Sequence, residues 1–284
     1  MKVAHTPDPD DSFMFYGMFE KKIPTHFDYD QVIKDIEALN QDALSAKYEI
    51  TAMSAPAYAR TSNAYHLTSA GASFGISYGP IVVAKKEIDL KEAVIATPGE
   101  LTSSHNLYRM FMPPPREFKV IRFDLIVPAV LDGQADAGII IHDEQLTYQN
   151  KGLIKVGDLY SQWSSYAPGL PIPLGFNAAS SKLSEKEING FMDDFRRSIK
   201  YGLENENDAL RYSMKYARYS DLELERKFVK MYVNELTPDF GEKGRKAIII
   251  SGLYELTISF LIERHQSTIS FHETNLALNS IGRR

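Results

Sequence analysis

The sequence predicts an α/β protein of two lobes, each built on a mixed, mostly parallel sheet, with a helical C-terminal tail. Short runs rich in Val and Ile alternate with longer segments of helical character. This alternation is typical of βαβ units and of parallel sheets. Two breaks, after VVAKKEIDLKE and around YAPGLPIPLGF, delimit a compact middle segment. We therefore predict lobe 1 from residues 1–96 and 181–284, lobe 2 from residues 97–180, and a ligand cleft between them.

The individual elements follow from apolar periodicity and from the residues that begin and end each segment. The predicted strands cover residues 2–5, 26–32, 48–54, 65–71, 79–85, 92–98, 118–123, 137–142 and 170–180. The predicted helices cover residues 11–20, 34–46, 55–61, 102–112, 124–132 and 142–149. After residue 183 the chain is almost entirely amphipathic helix. It opens at Ser184 with Glu187 three residues on, which is a capping box.

Composition and charge exclude several classes of function. The 284 residues are 44% hydrophobic and 24% charged, and they carry a net charge of −5 without a basic stripe. Nucleic acid is therefore not an expected partner. The chain has no cysteine, which excludes disulfides, thiolate metal sites and a cysteine nucleophile. No apolar run approaches the ~20 residues of a membrane span, and Met1 and Lys2 lead directly into a strand, so we expect a cytoplasmic protein without membrane contact.

Four loops are predicted to follow strands and open helices, and each is rich in polar residues. They are HTPDPDDSF (5–13), MSAPAY (53–58), TPGELTSSHN (97–106) and the triplet that begins at residue 142. In an open parallel sheet, ligands bind beyond the carboxyl ends of the strands, where helix N-termini offer unpaired N–H groups. Taken singly, each hydroxyl in these loops is explained as a helix N-cap. Taken together, we expect the loops to bind a small carboxylate, with donors from Ser54, Thr102, Ser103 and Ser104.

The acidic residues of the first loop have a structural explanation. Asp8, Asp10 and Asp11 lack the glycine and the distal glutamate of a calcium loop, while turn and cap chemistry accounts for them. We therefore expect no metal here. Asp11 is included among the expected substrate-binding residues because its loop opens on the cleft.

One histidine stands out, because the buried run AGIII ends on it. A lone histidine at a strand end usually hydrogen-bonds to a backbone carbonyl. At the cleft, however, His142 would lie in a partly dry site suited to proton transfer. His5 is the second candidate, since it ends the first strand. Trp163, Tyr148 and Tyr166 would either form an aromatic wall of the cleft or pack in the core.

Three segments carry a resemblance to a known family, and together they run from residue 3 to about residue 180. HTPDPDDSFMFYGM is similar to the SPCPNDTF-F stretch of 1,4-dihydroxy-6-naphthoate synthases, and PGELTSSHNL resembles their PGE-TTA--L. GIIIHDEQLTYQNKGLIKVGDLYSQW followed by GLPIPLG resembles their third block. The chain departs from the family where it has Asp8 for the usual Cys and Asp10 for the usual Asn.

The resemblance implies a fold like that of type 2 periplasmic binding proteins and an enzyme of menaquinone biosynthesis. The implied reaction converts cyclic dehypoxanthinylfutalosine to 1,4-dihydroxy-6-naphthoate in the futalosine pathway and uses no cofactor. The family's proton acceptor falls on His142. Its substrate-binding segments fall on Ala52, Met53 and Ser54 and on Thr102 and Ser103.

Two other readings share this fold. A non-catalytic binding protein for a small carboxylate would have the same cleft and the same hydroxyl-lined anion site. A related synthase would act on a different futalosine-pathway or chorismate-derived substrate. The order of histidine, TY, GL, DL and tryptophan in the third block favours the naphthoate synthase.

Overall fold

A computed structural model describes residues 1–216 and 221–252, and within them the chain forms two sheets. The strands are β1 (Lys2–His5), β2 (Asp30–Ile33), β3 (Ile50–Met53), β4 (Tyr65–Leu67), β5 (Ser73–Gly75), β6 (Ile81–Ala84), β7 (Val94–Thr97), β8 (Glu117–Val120), β9 (Ala137–Ile140), β10 (Ile154–Asp158) and β11 (Ile172–Ser180). The first sheet has the order β2-β1-β3-β11-β4, and β5 also pairs with β11. The second sheet has the order β10-β6-β9-β7-β8.

Both sheets are mixed, as predicted, but parallel pairings do not predominate. β1 runs parallel to β2 and β3, and β7 runs parallel to β8 and β9. β11 is antiparallel to β3, β4 and β5, and β6 is antiparallel to β9 and β10. β6 is buried throughout and β11 along most of its length. A continuous apolar run is typical of buried parallel strands, so the sequence pattern does not reveal that β6 and β11 pair antiparallel with their neighbours.

Strand pairing divides the chain at points that differ from the predicted lobe boundaries. β6 and most of β7 lie before residue 97, in predicted lobe 1, yet both pair in the second sheet. β11 lies within predicted lobe 2 but belongs to the first sheet. The chain therefore changes sheet within residues 76–80 and again within residues 159–171. The second crossing contains the predicted YAPGL break, whereas the first falls at the shorter SYGP turn.

The helices alternate with the strands and then dominate the C-terminal part. They are α1 (Pro9–Phe19), α2 (Ile36–Ala43), α3 (Ala55–Thr61), α4 (Ser103–Phe111), α5 (Ile126–Leu131), α6 (Leu159–Tyr166), α7 (Glu185–Glu204), α8 (Glu206–Ser213) and α9 (Leu222–Tyr232). Residues 241–252 are also helical. The Ser184–Glu187 capping box is confirmed. The predicted helix over 142–149 is instead two 3₁₀ turns, His142–Leu146 and Tyr148–Lys151, and the predicted helical tail over 253–284 lies outside the described residues.

Helix α1 is the most enclosed of these elements, because all residues from Pro9 to Met18 are buried. The Phe15 ring stacks on Phe195 of α7 with the centroids 4.2 Å apart. The Ser198 hydroxyl, also on α7, donates to the Met14 carbonyl oxygen at 2.7 Å. Burying each such aromatic ring stabilises the fold by roughly 1.5–3 kcal/mol. The N-terminus of α1, which carries the first-loop aspartates, is therefore firmly held.

The polar loops meet where the parallel strands end. β1 and β3 are parallel neighbours in the first sheet, and β7 and β9 are parallel neighbours in the second. The segments that follow these four strands all contribute to one cavity between the sheets. This geometry is the one expected for ligand binding at the carboxyl edge of an α/β sheet.

Candidate functional site

The cavity between the two sheets contains about 670 Å³ of empty space, part of which is open to solvent. This volume falls within the range of pockets that bind small organic ligands. Its walls come from both sheets and from helix α9. The lining residues are Thr6, Asp10, Asp11, Ile36, Ala52, Met53, Ser54, Gly71, Ser73, Pro80, Thr102, Ser103, Ser104, Ile141, His142, Leu174, Gly175, Phe176 and Tyr232.

The structure thus brings together every site residue that the sequence analysis selected. His142 lies on the same cavity as Asp11, Ala52, Met53, Ser54, Thr102, Ser103 and Ser104. Among the described residues that line the cavity, none is a lysine or an arginine. An anionic ligand group would therefore be bound by hydroxyl and backbone N–H donors rather than by a charged side chain.

His142 has an unusual backbone conformation. Its φ is +60°, in the left-handed region that non-glycine residues rarely adopt. Such a conformation costs on the order of 1–3 kcal/mol and persists where the surrounding structure imposes it. The residue follows the fully buried strand β9 and begins the first 3₁₀ turn. From this position His142 lines the cavity.

The His142 ring lies beside an aspartate and among aromatic neighbours. Its Nε2 lies 3.2 Å from Oδ2 of Asp8, which comes from the first loop of the other sheet. The side chain is 15% exposed, and the Asp8 side chain is 5% exposed. The Phe123 ring meets the imidazole edge-on with the centroids 5.0 Å apart, and Tyr232 lies 6.4 Å away. A histidine paired with a carboxylate in a nearly dry site is a suitable general base.

The other two first-loop aspartates differ from each other in their partners. Asp11 Oδ2 accepts hydrogen bonds from the Thr6 backbone N–H at 3.0 Å and from the Thr6 hydroxyl at 2.7 Å, so it closes the loop on itself. Burial raises the pKa of Asp11, against the opposing influence of His5 and Thr6. Asp10 Oδ2 accepts from the Ser73 hydroxyl at 3.3 Å. Burial raises the pKa of Asp10 well above its ordinary range, and the charges of Asp11 and Asp8 raise it further.

Ser54 faces the cavity with its hydroxyl partly satisfied. Asn40 of α2 donates to Ser54 Oγ at 3.2 Å and accepts from the Ser54 backbone N–H at 2.9 Å. The Ser54 side chain makes no capping bond to α3. Because Asn40 supplies a donor, the proton of the Ser54 hydroxyl can point to a ligand oxygen. Asn40 also donates to the Leu101 carbonyl oxygen at 3.1 Å, which ties this wall to the loop of the second sheet.

The hydroxyls at the start of α4 have structural partners. Thr102 is the N-cap and accepts from the His105 backbone N–H at 3.3 Å, so its capping role is confirmed. Ser103 Oγ donates to the Leu174 carbonyl oxygen at 2.6 Å, and Ser104 Oγ lies 3.2 Å from Thr102 Oγ1. The backbone N–H groups of Ser103 and Ser104 have no intrahelical acceptor, because they belong to the first turn. These two N–H groups would donate to an anionic ligand group at this wall.

The other candidates lie away from the cavity. His5 is fully buried, stacks on Phe15 with the centroids 4.8 Å apart, and does not line the cavity. His5 is therefore a core histidine that cannot reach a ligand in the cavity, and burial lowers its pKa. Trp163 is fully buried and donates to the Leu170 carbonyl oxygen at 3.1 Å. Tyr148 packs in the core beneath the second sheet, and Tyr166 is 58% exposed.

Sequence reasoning did not single out three residues that shape the cavity. Tyr232 on α9 and Phe176 on β11 line it, and Ser73 on β5 binds Asp10. Each comes from an element distant in sequence from the polar loops. A strand of three residues such as β5 leaves almost no periodic signal.

Among the described residues, one cluster elsewhere in the fold has the donor spacing of a metal site, namely His26, Asp193 and Asp194. The guanidinium of Arg197 binds both carboxylates, and His26 Nδ1 lies 2.7 Å from Asp194 Oδ1. A cation is thus already supplied by the protein, and the cluster is an ion-pair network. Of the helices within the described residues, none is both long and apolar enough to cross a bilayer.

Known proteins resemble this chain along almost its entire length. The family model described as menaquinone biosynthesis matches residues 1–256. A Thermus thermophilus protein named 1,4-dihydroxy-6-naphtoate synthase is 33% identical over 251 residues, covering 87% of this chain and 91% of the relative. A crystal structure of an Archaeoglobus fulgidus protein superposes with a TM-score of 0.86 at 42% identity, covering 92% of this chain and 97% of the other.

The fold is also found at much lower sequence identity. A Candida albicans gene product, described as having the generic periplasmic binding protein fold, matches with a TM-score of 0.61 at 15% identity. The match covers 90% of this chain and 93% of the other. The predicted fold class, an α/β protein of the periplasmic-binding-protein type with a helical C-terminal region, is confirmed. With the fold, the cavity and the family match in agreement, the chain belongs to the menaquinone biosynthesis family that includes 1,4-dihydroxy-6-naphthoate synthases.

Proposed function

We propose that this protein is a carbon–carbon lyase that converts cyclic dehypoxanthinylfutalosine to 1,4-dihydroxy-6-naphthoate, with His142 as the general base. The observation that carries the proposal is the placement of His142 on the cavity, 3.2 Å from the Asp8 carboxylate. The product is the one named for the Thermus relative. The substrate is the one that the sequence resemblance implies. A cytoplasmic location stays a prediction from the sequence, which fractionation of the source cells would test.

His142 would remove a proton from a carbon made acidic by the adjacent ring carbonyl. A carbon–carbon bond then breaks, its electron pair leaves with the sugar-derived fragment, which takes up the proton from the His142 imidazolium, and the ring becomes aromatic. Aromatisation supplies the thermodynamic drive, so this step requires no redox cofactor. General-base help contributes roughly 10²–10⁴-fold to such a step. The Asp8 carboxylate would stabilise the imidazolium that forms and would hold the ring in position.

The substrate carboxylate would bind at the wall formed by Ser54 and the start of α4. The donors are the Ser54 hydroxyl, oriented by Asn40, and the backbone N–H groups of Ser103 and Ser104. Thr102 would act by shaping the first turn, since its hydroxyl is already used as the cap. Hydroxyl and backbone donors on a helix N-terminus suit a carboxylate. Ala52, Met53 and Phe176 would provide the apolar surface against the ring.

The test is direct. Purified protein is incubated with cyclic dehypoxanthinylfutalosine, and the products are identified by mass spectrometry. We expect 1,4-dihydroxy-6-naphthoate to accumulate in proportion to enzyme concentration. An isomeric dihydroxynaphthoate would contradict the product assignment, and unchanged substrate under conditions in which a thermal shift proves binding would contradict the lyase proposal.

Binding without turnover is the second candidate function. It is favoured only by the fold, since the Candida albicans protein that is 15% identical to this chain is described as having the generic periplasmic binding protein fold. A hydroxyl-lined cavity would serve a receptor for a small carboxylate equally well. The same incubation separates the two functions. A receptor returns the ligand chemically unchanged, whereas a lyase consumes it.

A further inference from the structure

Asp10 presents a buried polar atom to the cavity. The residue is 5% exposed and lies in the first turn of α1, beside the cavity wall. Its Oδ2 accepts a hydrogen bond from the Ser73 hydroxyl. Its Oδ1 is buried, and among the described residues it has no hydrogen-bond partner. Oδ2 therefore accepts a hydrogen bond from the protein, whereas Oδ1 has no partner within residues 1–216 and 221–252.

The surroundings of Asp10 disfavour a negative charge. Asp8 and Asp11 of the same loop lie close enough for their charges to act on it. His142, from the second sheet, faces Asp8. A negative charge on Asp10 would also raise the pKa of the Tyr78 and Tyr232 phenols. No lysine or arginine is found among the described lining residues. An isolated buried carboxylate costs several kcal/mol, and a carboxyl group in such a site keeps its proton instead.

A neutral carboxyl group fits the observed partners. It has one acceptor oxygen, which matches Oδ2 with its bond from Ser73, and one hydroxyl, which matches Oδ1. We propose that Asp10 is a ligand-binding residue whose Oδ1 hydroxyl donates a hydrogen bond to an uncharged oxygen of the ligand, a carbonyl or a hydroxyl. The ligand's identity rests on the proposed function, whereas the protonation of Asp10 does not.

This subsite orients the ligand within the cavity. A ligand carboxylate beside Asp8 and Asp11 would be repelled, so the charged end belongs at Ser54 and the start of α4. The uncharged, oxygen-bearing end then lies at Asp10, in the neighbourhood of the Asp8–His142 pair. Because the two ends of the cavity distinguish charged from neutral oxygens, the ligand group to be activated lies beside the base.

The first experiment needs no ligand. Melting temperatures of the full chain and of Asp10→Asn are compared from pH 4 to pH 8. A carboxyl whose folded pKa is raised destabilises the fold as the pH rises above the unfolded value near 3.8. Asp10→Asn should therefore melt above the unaltered protein at pH 7.5, with a difference that shrinks towards pH 4. A lower melting temperature for Asp10→Asn at pH 7.5 would overturn the neutral-acid assignment.

The second experiment measures how much the Asp10 hydrogen-bond donor contributes to substrate binding. With cyclic dehypoxanthinylfutalosine as substrate, Asp10→Ala should raise KM roughly 5- to 100-fold, the expected cost of leaving a ligand oxygen unpaired. Asp10→Asn should recover most of this loss, because its amide N–H can occupy the position of the Oδ1 hydroxyl. Asp193→Asn, at an exposed position outside the cavity, is the matched control. The donor role of Asp10 would be contradicted if Asp10→Asn did not recover the lost binding, or if Asp10→Ala left KM unchanged.

The two proposals can fail separately. The affinity for 1,4-dihydroxy-6-naphthoate, measured by fluorescence titration, does not require turnover. If the unaltered protein binds this naphthoate but does not act on the substrate, the lyase proposal fails, and the order Asn above Ala in affinity still supports the donor. If Asn and Ala bind the naphthoate equally, the donor is refuted whatever the catalytic result.

Discussion

Replacing Asp8 by asparagine removes the charge beside His142 while keeping the size of the side chain. The two groups are 3.2 Å apart and both are mostly buried. Unit charges at that separation attract by roughly 5 kcal/mol at an effective dielectric constant of about 20. Desolvation offsets part of this attraction. What is left favours the protonated imidazole over the neutral one.

The sign of the effect follows from which form the carboxylate stabilises. Asp8 favours the protonated imidazole, so its removal keeps His142 unprotonated to lower pH. The acid limb of the kcat/KM profile of Asp8→Asn should therefore move to lower pH. The plateau should fall about 10- to 100-fold, because a weaker base transfers the proton less effectively.

The assay is initial-rate kinetics from pH 5 to pH 9, with melting temperatures recorded in the same buffers. Asp193→Asn again serves as the control for loss of a carboxylate outside the cavity. An acid limb that stays in place in Asp8→Asn, with normal stability, would refute the idea that Asp8 tunes the base. A limb that moves to higher pH would show that the sign of the coupling is wrong.

Three further predictions concern stability. Burial lowers the pKa of His105 to about 4, so the unfolded chain binds more protons than the folded protein between about pH 6.5 and pH 4. The free energy of unfolding of the unaltered protein should therefore fall as the pH is lowered from 7 to 5, and in His105→Gln it should fall by about 2 kcal/mol less, as measured by urea unfolding. Asp194→Asn should cost roughly 1.5–3 kcal/mol, because it removes the buried charge that accepts hydrogen bonds from Arg197 and from the Tyr29 hydroxyl; a midpoint of urea unfolding equal to that of the unaltered protein would contradict this. Gly71→Ala should destabilise by more than about 2 kcal/mol, since φ is +75° and a Cβ would lie 1.9 Å from the Phe195 ring; thermal unfolding would show a lowered melting temperature, and an unchanged one would refute the reasoning.

The parts of the site that the sequence predicted are those attached to strand ends. His142 ends a continuous buried run, and Ser54 and Thr102 each open a helix directly after a strand. Parallel neighbours end at the same edge, so the local pattern was sufficient to group His142 with Thr102, which follow β9 and β7, whereas Ser54 follows β3 of the other sheet.

The parts that could not be predicted depend on packing between distant segments. Asp8 and His142 are 134 positions apart in the chain and meet only because the two sheets face each other. His5 also ends a strand, but its ring is directed into the core against Phe15, and nothing local distinguishes it from His142. Tyr232 reaches the cavity from α9, whose own sequence predicts only an amphipathic helix.

The most direct test of His142 as the base is the turnover number of His142→Asn with cyclic dehypoxanthinylfutalosine. Asparagine tolerates the left-handed conformation at φ +60°, so the fold and the melting temperature should be retained. We expect kcat to fall roughly 10²–10⁴-fold, while the affinity for 1,4-dihydroxy-6-naphthoate changes little. A folded His142→Asn protein with kcat near that of the unaltered protein would contradict the assignment.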